Sequence, residues 1–309
     1  MASADERNNR PIRTAACLII GDEVLGGKVI DVYLTHLSFF YEVFKMVPPA
    51  DISVRPRQTR PTLHVGASVS ELKRIEVIGD DEEEIAEAVS RMSSKYDFVV
   101  TSGGIGPTHD DITYQAIGKA FSLPLTMHQP TYDRMKRLMK PHPSQPNFDW
   151  NVESPDRTAR ERMVILPLDL SRDLSKQIIY TWDDLWVPVT VVNGNVHILP
   201  GIPQLFERLI DGLKPSISPR LEGQGTHRVL ISTPMSESAV ALYLTKLAAV
   251  VEPKGIKVGS YPRFEKSRNT VTLVGQDQEY LESLVPEVIE NVKGRRVTVE
   301  GEDDEPEAT

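Results

Sequence analysis

Between Thr101 and Thr113 the chain reads Thr-Ser-Gly-Gly-Ile-Gly-Pro-Thr-His-Asp-Asp-Ile-Thr. Glycines let backbone amides approach a ligand, and a strand that runs through such a turn into a helix start offers an anion free N–H groups and the positive end of a dipole. A phosphate is the ligand this pattern suits, with Ser102, Gly103, Gly104, Gly106, Thr108 and His109 as candidate binding residues. His109 taken alone also reads as a surface residue, a proton shuttle or a leaving-group contact. Asp110 and Asp111 admit two readings. Thr108-x-x-Asp111 has the form of a capping box with Thr108 as N-cap, for which one carboxylate suffices. Two adjacent carboxylates facing a phosphate cradle would repel the ligand, unless a divalent cation bridges them to its oxygens. Asp110 and Asp111 are therefore the candidate metal ligands.

A second group of candidates follows an earlier apolar run. Gly21, Asp22 and Glu23 come after Ala15 to Ile20 and before Gly26-Gly27, with Asp31 about two helical turns further on. Their bland reading is a solvated turn. Pro200-Gly201-Ile202-Pro203 is a rigid loop entering a helix, and the loop around Gly201 and Pro203 could also line the pocket. Gly79-Asp80-Asp81, before Glu82 to Glu84, reads as another helix start, where negative charge is favoured.

Strand and helix signals alternate through the first half. Ala15 to Ile20, Lys73 to Ile78 and Asp97 to Thr101 read as strands; a pattern near Ile30 to Phe40, Asp81 to Ser93 and the segment after Asp111 read as helices. Such alternation predicts an α/β fold with a mostly parallel sheet covered on both faces, whose ligands bind at the carboxyl ends of the strands. Trp186 to Val192 and Val196 to Leu199 flank Asn193-Gly194, a tight-hairpin signal, and Gln204 to Leu213 reads as a helix. From about Gly225 the signals run Arg228 to Ser232 (strand), Ser236 to Val251 (helix), Ile256 to Tyr261 and Thr270 to Val274 (strands), Gln278 to Val292 (helix) and Arg295 to Val299 (strand). That order is the βαββαβ, ferredoxin-like unit of a small α+β domain. The expected organisation is a flexible lead-in over 1–13, a main domain over 14–227, the small domain over 228–300 and an acidic disordered tail over 301–309. Residues 41–70 carry four prolines and no sustained period, an atypical insertion in a compact domain.

Composition narrows the function class. The chain has 309 residues, 40% of them apolar, and a net charge of −9. Sequence-independent nucleic-acid binding would need clustered Lys and Arg, so no nucleic-acid partner is expected. No apolar run approaches the roughly 20 residues of a membrane span, and Met1 to Arg13 has no apolar signal region. The single cysteine, Cys17, sits inside an apolar run and reads as a small buried hydrophobe. A cytoplasmic protein without disulfides is expected.

The stretch from Thr101 to Thr113, with Gly21-Asp-Glu-Val-Leu-Gly-Gly27 before it and Leu199-Pro-Gly-Ile-Pro203 after it, resembles the MoaB/Mog-type molybdopterin-binding domain. Its nearest look-alikes are the amino-terminal domain of CinA proteins and the corresponding domain of eukaryotic FAD synthases, whose following small domain Val258-Gly-Ser-Tyr-Pro262 resembles. The resemblance implies a three-layer α/β/α fold, a pocket for a nucleotide or pterin phosphate, and a dimer or trimer. In the CinA-like branch it implies metal-dependent cleavage of a pyrophosphate bond in FAD or ADP-ribose, with Asp111, Asp110 and Asp22 catalytic and Mg2+ or Co2+, with K+ as a further candidate, as the ion. In the cofactor branch Asp111 belongs to a site that handles adenylylated molybdopterin. The Thr-His-Asp-Asp spelling resembles the first branch more. The family passes from its first helix almost directly to a stretch like Leu72 to Asp80, so residues 32–70 read as foreign to the fold, either a lineage-specific loop or a translated intron.

Overall fold

The computed structural model describes residues 3–26, 71–140, 142–222, 227–263 and 266–302. Gly27, Asp31, the helical pattern near Ile30 to Phe40, the insertion and the acidic tail from residue 303 lie outside them. The chain divides into two compact units, with the break after Glu222 rather than at residue 227.

The first unit opens with a short helix, α1 (Ala4–Asn9), in place of the expected flexible lead-in. Ser3 and Glu6 form a capping box around its start, the Arg7 guanidinium donates to the Ser93 carbonyl at 2.8 Å, and Ile12 is fully buried. These contacts hold a segment whose composition gives no sign of order. Then come β1 (Thr14–Ile20), the single-turn α2 (Asp22–Leu25), β2 (Glu71–Ile78), α3 (Glu82–Lys95), β3 (Phe98–Ser102) and α4 (Thr113–Ala120). A small outer layer follows, made of β4 (Leu125–Met127), α5 (Gln129–Leu138), α6 (Pro155–Arg162) and β5 (Ile165–Pro167). The unit closes with β6 (Ile178–Ile179), β7 (Val189–Val192), β8 (Val196–Leu199) and α7 (Pro203–Ile217).

Six strands form one sheet in the order β2-β1-β3-β8-β7-β6. The pairs β2–β1, β1–β3 and β3–β8 are parallel, and the hairpin β7–β8 and the pair β6–β7 are antiparallel. Central strands covered on both faces need continuous apolar runs, and β3 is buried at every residue while β1 is buried from Ala15 to Ile20. One face packs Phe206, Leu209, Ile210 and Leu213 of α7 against Phe98 and Val100. The other packs Ile85, Val89 and Met92 of α3 and Ile117 of α4 against Leu18, Val99 and Ile198. The expected three-layer α/β/α arrangement results.

Two helix ends depart from expectation. α7 continues past Pro215 to Ile217, because burying Ile217 against the same core, worth about 2 kcal/mol, offsets the lost hydrogen bond in the last turn. α4 begins at Thr113, after the unassisted N-cap Ile112, so Thr108 does not cap it. Thr108 and Asp111 instead close a separate turn.

The second unit consists of β9 (His227–Thr233), α8 (Glu237–Val251), β10 (Lys257–Tyr261), β11 (Asn269–Gly275), α9 (Gln278–Asn291) and β12 (Arg295–Val297). Its sheet is antiparallel in the order β10-β11-β9-β12, the ferredoxin-like arrangement. Val240 and Leu247 of α8 and Leu281 and Val288 of α9 pack on Ile231, Val271 and Leu273.

Candidate functional site

The four parallel strands β2, β1, β3 and β8 end side by side, and a glycine follows each within two residues: Gly79, Gly21, Gly103 and Gly201. β1 lies between β2 and β3, the next two strands in sequence, and the order reverses there, which is the crevice where open α/β sheets bind ligands. Gly103 crosses this point with φ of 107°, and a Cβ there would stand 2.1 Å from the Ile20 carbonyl oxygen. No other residue fits.

The turn after β3 is held by its carbonyls. Thr113, fully buried, donates its hydroxyl to the Gly103 carbonyl at 2.9 Å and its amide to the Gly104 carbonyl at 2.9 Å. The Gly103 amide donates to the Leu199 carbonyl at 3.2 Å, so it is not available to a phosphate, contrary to the sequence expectation. The amides of Gly104, Ile105 and Gly106 find no acceptor among the described residues. The open donors of the turn are therefore these three, with Ile105 taking the place expected of Gly103. Ser102 is buried and donates its hydroxyl to the Pro200 carbonyl at 3.3 Å, a brace between loops. Gly201 approaches the Gly103 backbone, and Pro203 is the first residue of α7.

The structure separates the paired aspartates. One carboxylate oxygen of Asp111 accepts the Thr108 amide at 2.9 Å and also the Thr108 hydroxyl. Asp110 is exposed, and the Thr108 hydroxyl, with the charges of His109 and Arg162, holds its carboxyl below the usual range. His109 lies 3.9 Å from Asp110 and its side chain is 96% exposed. Across the crevice the Asp22 amide donates to the Asp80 carboxylate at 3.1 Å, and the Asp80 amide donates to the Asp22 carboxylate at 3.3 Å. Burial raises the Asp80 carboxyl above its ordinary value, the Asp22 amide works against it, and the charges of Asp22, Glu23 and Asp110 add to the rise. Those causes place Asp22, Glu23, Asp80 and Asp110 around one region.

Carboxylate oxygens suit a hard cation such as Mg2+, which takes one or two of them and completes its shell with water and substrate phosphate. Among the described residues no three His, Cys, Asp or Glu side chains already converge on an ion position. The donor set thus fits in chemical type, with Asp110 and one of Asp22 or Asp80 as the holders. Asp111 gives one oxygen to Thr108, and its other oxygen stays a candidate ligand beside Asp110.

Sequence reasoning left out two residues of this region. Asp80 repeats at the end of β2 the Gly-Asp pair that Asp22 carries at the end of β1, and that repetition was its signal. Arg162, the last residue of α6, reaches the Asp111 carbonyl with one guanidinium nitrogen at 3.5 Å. Nothing local in the sequence marks it.

This geometry can be set beside known proteins. A sequence profile described as "Probable molybdopterin binding domain" matches residues 64–222, just over half of the chain. The chain belongs to this family. It is 29% identical over 290 residues to a protein of Caenorhabditis elegans named "Probable FAD synthase", covering 92% of this chain and 51% of that one. It is 23% identical over 278 residues to a CinA-like protein of Citrifermentans bemidjiense, covering 88% of this chain and 56% of that one. The chain therefore spans about half the length of these relatives. Among solved structures, the protein CinA of Thermoplasma acidophilum, described as of unknown function, aligns with a TM-score of 0.45 at 22% identity, over 66% of this chain and 99% of that one. Among the described residues no helix is long and apolar enough to cross a membrane.

Proposed function

We propose that this molybdopterin-binding-type domain binds the pyrophosphate of a dinucleotide of the FAD or ADP-ribose class at the glycine turn and hydrolyses it, releasing AMP. The observation that carries this reading is the turn itself: three amides without an acceptor stand where exposed carboxylates gather. The likeness to proteins named as FAD synthase and CinA-like supports a nucleotide as the substrate class. The amides of Gly104, Ile105 and Gly106 hold one phosphate, since fixed dipoles stabilise developing charge without reorganising. Asp22, Glu23 or Asp80 takes the proton of the attacking water; Asp80, with its raised carboxyl, is the best suited of the three. Asp110 would hold a divalent cation, which would supply the remaining charge neutralisation. The buried Cys17, its thiol pushed up to about 12 by burial, takes no part.

The test is AMP release from FAD or ADP-ribose with Mg2+ or Co2+. Asp110→Asn should lower turnover about 100-fold with an unchanged melting temperature, because the side chain is exposed. Turnover at the parent rate in that variant would overturn the assignment.

The family description favours one second reading, a pterin phosphate held in the same pocket for molybdenum-cofactor chemistry. A fluorescent pterin that co-purifies with the protein, together with no metal-dependent AMP release, would decide for it.

A further inference from the structure

α6 carries three arginines whose surroundings differ. Arg157 pairs with Glu161 at 2.7 Å. The Arg160 guanidinium stacks on the Phe148 ring at 3.6 Å and donates to Gln145 at 2.6 Å. Arg162 has neither kind of partner. Its Nε is buried and meets no acceptor, its one recorded contact is the long 3.5 Å reach to the Asp111 carbonyl, and no carboxylate lies within ion-pair distance among the described residues. A buried donor on a charged group is costly to leave unmade, and each such group in a folded protein calls for an explanation. The end that is anchored sits beside Asp111, in the turn whose neighbouring amides of Gly104, Ile105 and Gly106 also lack acceptors. The one Arg162 hydrogen bond thus reaches the turn that holds these amides.

We propose that Arg162 is the phosphate-binding cation of the glycine-turn site, its guanidinium completing with the amides of Gly104, Ile105 and Gly106 a cradle for the pyrophosphate. This rests on the pyrophosphate-binding reading above and adds the residue that lets an acidic region accept an anion. A guanidinium offers a planar fork of N–H donors that matches two phosphate oxygens at once, a geometry that lysine lacks. The cation also offsets the carboxylates of Asp22, Glu23, Asp80 and Asp110, which otherwise oppose a pyrophosphate. Because the hydrogen bond Arg162 makes among the described residues is only the long one to the Asp111 carbonyl, its removal costs the fold little; an arginine that serves packing would behave in the opposite way.

The experiment is calorimetric titration of the full chain with ADP-ribose in Mg2+, alongside thermal melts without ligand. Arg162→Met and Arg162→Gln, both neutral, should weaken ADP-ribose binding at least tenfold while the ligand-free melting temperature holds or rises. Arg162→Lys, which keeps the charge and loses the fork, should recover part of the affinity. If either neutral variant folds and binds ADP-ribose like the parent, the proposal is overturned while the pyrophosphate reading stands. A lowered melting temperature with unchanged affinity of the folded fraction also overturns it, in favour of a structural arginine. A parent protein that binds neither ADP-ribose nor FAD overturns both.

Discussion

The two ends of the main sheet treat their polar groups in opposite ways. At the amino-terminal ends of β3 and β8 the donors and acceptors are closed. Ser93 donates to Asn195 at 2.7 Å, and the Asn195 amide returns bonds of 2.9 Å to the Ser93 and Tyr96 carbonyls. One Asp97 oxygen accepts from the Arg13 amide, the Thr14 amide and the Thr14 hydroxyl. The Ser93 carbonyl in the last turn of α3, which a helix leaves unpaired, and that of its C-cap Tyr96 are thereby taken up. At the carboxyl-terminal ends three consecutive amides and the Arg162 Nε stay open, and carboxylates crowd together with a raised Asp80 among them. The Arg162 Nε is buried, and a buried donor left unmade costs about 1–3 kcal/mol. The closed end holds the sheet together, and the open end leaves donors without partners among the described residues.

Glycines test this contrast most severely, since each end has one at positive φ against backbone. Gly103→Ala drives a Cβ into the Ile20 carbonyl between two central strands that cannot move apart; the expected loss exceeds about 4 kcal/mol, read as insoluble protein or a collapsed urea midpoint. Gly194→Ala meets the Ala4 carbonyl at 2.0 Å, but α1 buries no residue and can shift away. The expected cost is about 1–2 kcal/mol, so an equal loss in both variants would show that the ends are equally rigid.

The closed end should also govern acid sensitivity. His197 is fully buried in β8 with its ring 4.2 Å from Phe98, and burial first, then the Arg220 charge, brings its pKa from 6.5 down to about 3. The folded state keeps the ring neutral while the unfolded chain takes up a proton below 6.5. The contribution to stability is thus fully present above pH 6.5 and is lost as pH falls toward 3, by up to ~4 kcal/mol at about 1.4 kcal/mol per unit. His197→Phe should flatten the fall in urea midpoint between pH 6.5 and 4. An unchanged slope would place the acid sensitivity elsewhere.

The smallest effect belongs to the open end. The Asp80 carboxyl is raised in the folded state, so its contribution is fully present below the unfolded value of 3.8 and is lost as pH rises through the folded value. Asp80→Asn should therefore raise the melting temperature at pH 7, on the scale of about 0.5 kcal/mol for a half-exposed group, and leave it unchanged near pH 3. Destabilisation at pH 7 would mean that the reciprocal bonds with Asp22 outweigh the repulsion.

Much of this could be read along the chain. The apolar run into β3, the glycines after it and Asn193-Gly194 between β7 and β8 are signals carried within a dozen residues, and the ferredoxin-like order of the second unit follows from local period and spacing. The capping-box reading of Thr108 failed for a related reason: the spacing was right, but Thr113 was drawn under the turn by the Gly103 and Gly104 carbonyls and the helix started there instead. The order in α1 had one local signal, the Ser3–Glu6 capping box; the rest depends on Ser93, 86 residues away in sequence from Arg7.

By itself, then, the sequence determined a parallel α/β layer with an anion-suited turn at a strand end, because hydrophobic period and glycine placement act over short range. Tertiary structure decided which donors remain open there and which charges meet. The Gly103 amide was claimed by β8, Asp80 was brought to Asp22 across 58 residues, and Arg162 was set against Asp111 across 51. Each of these follows from the strand order β2-β1-β3-β8 and the packing of the outer layer, which no local window of the chain contains.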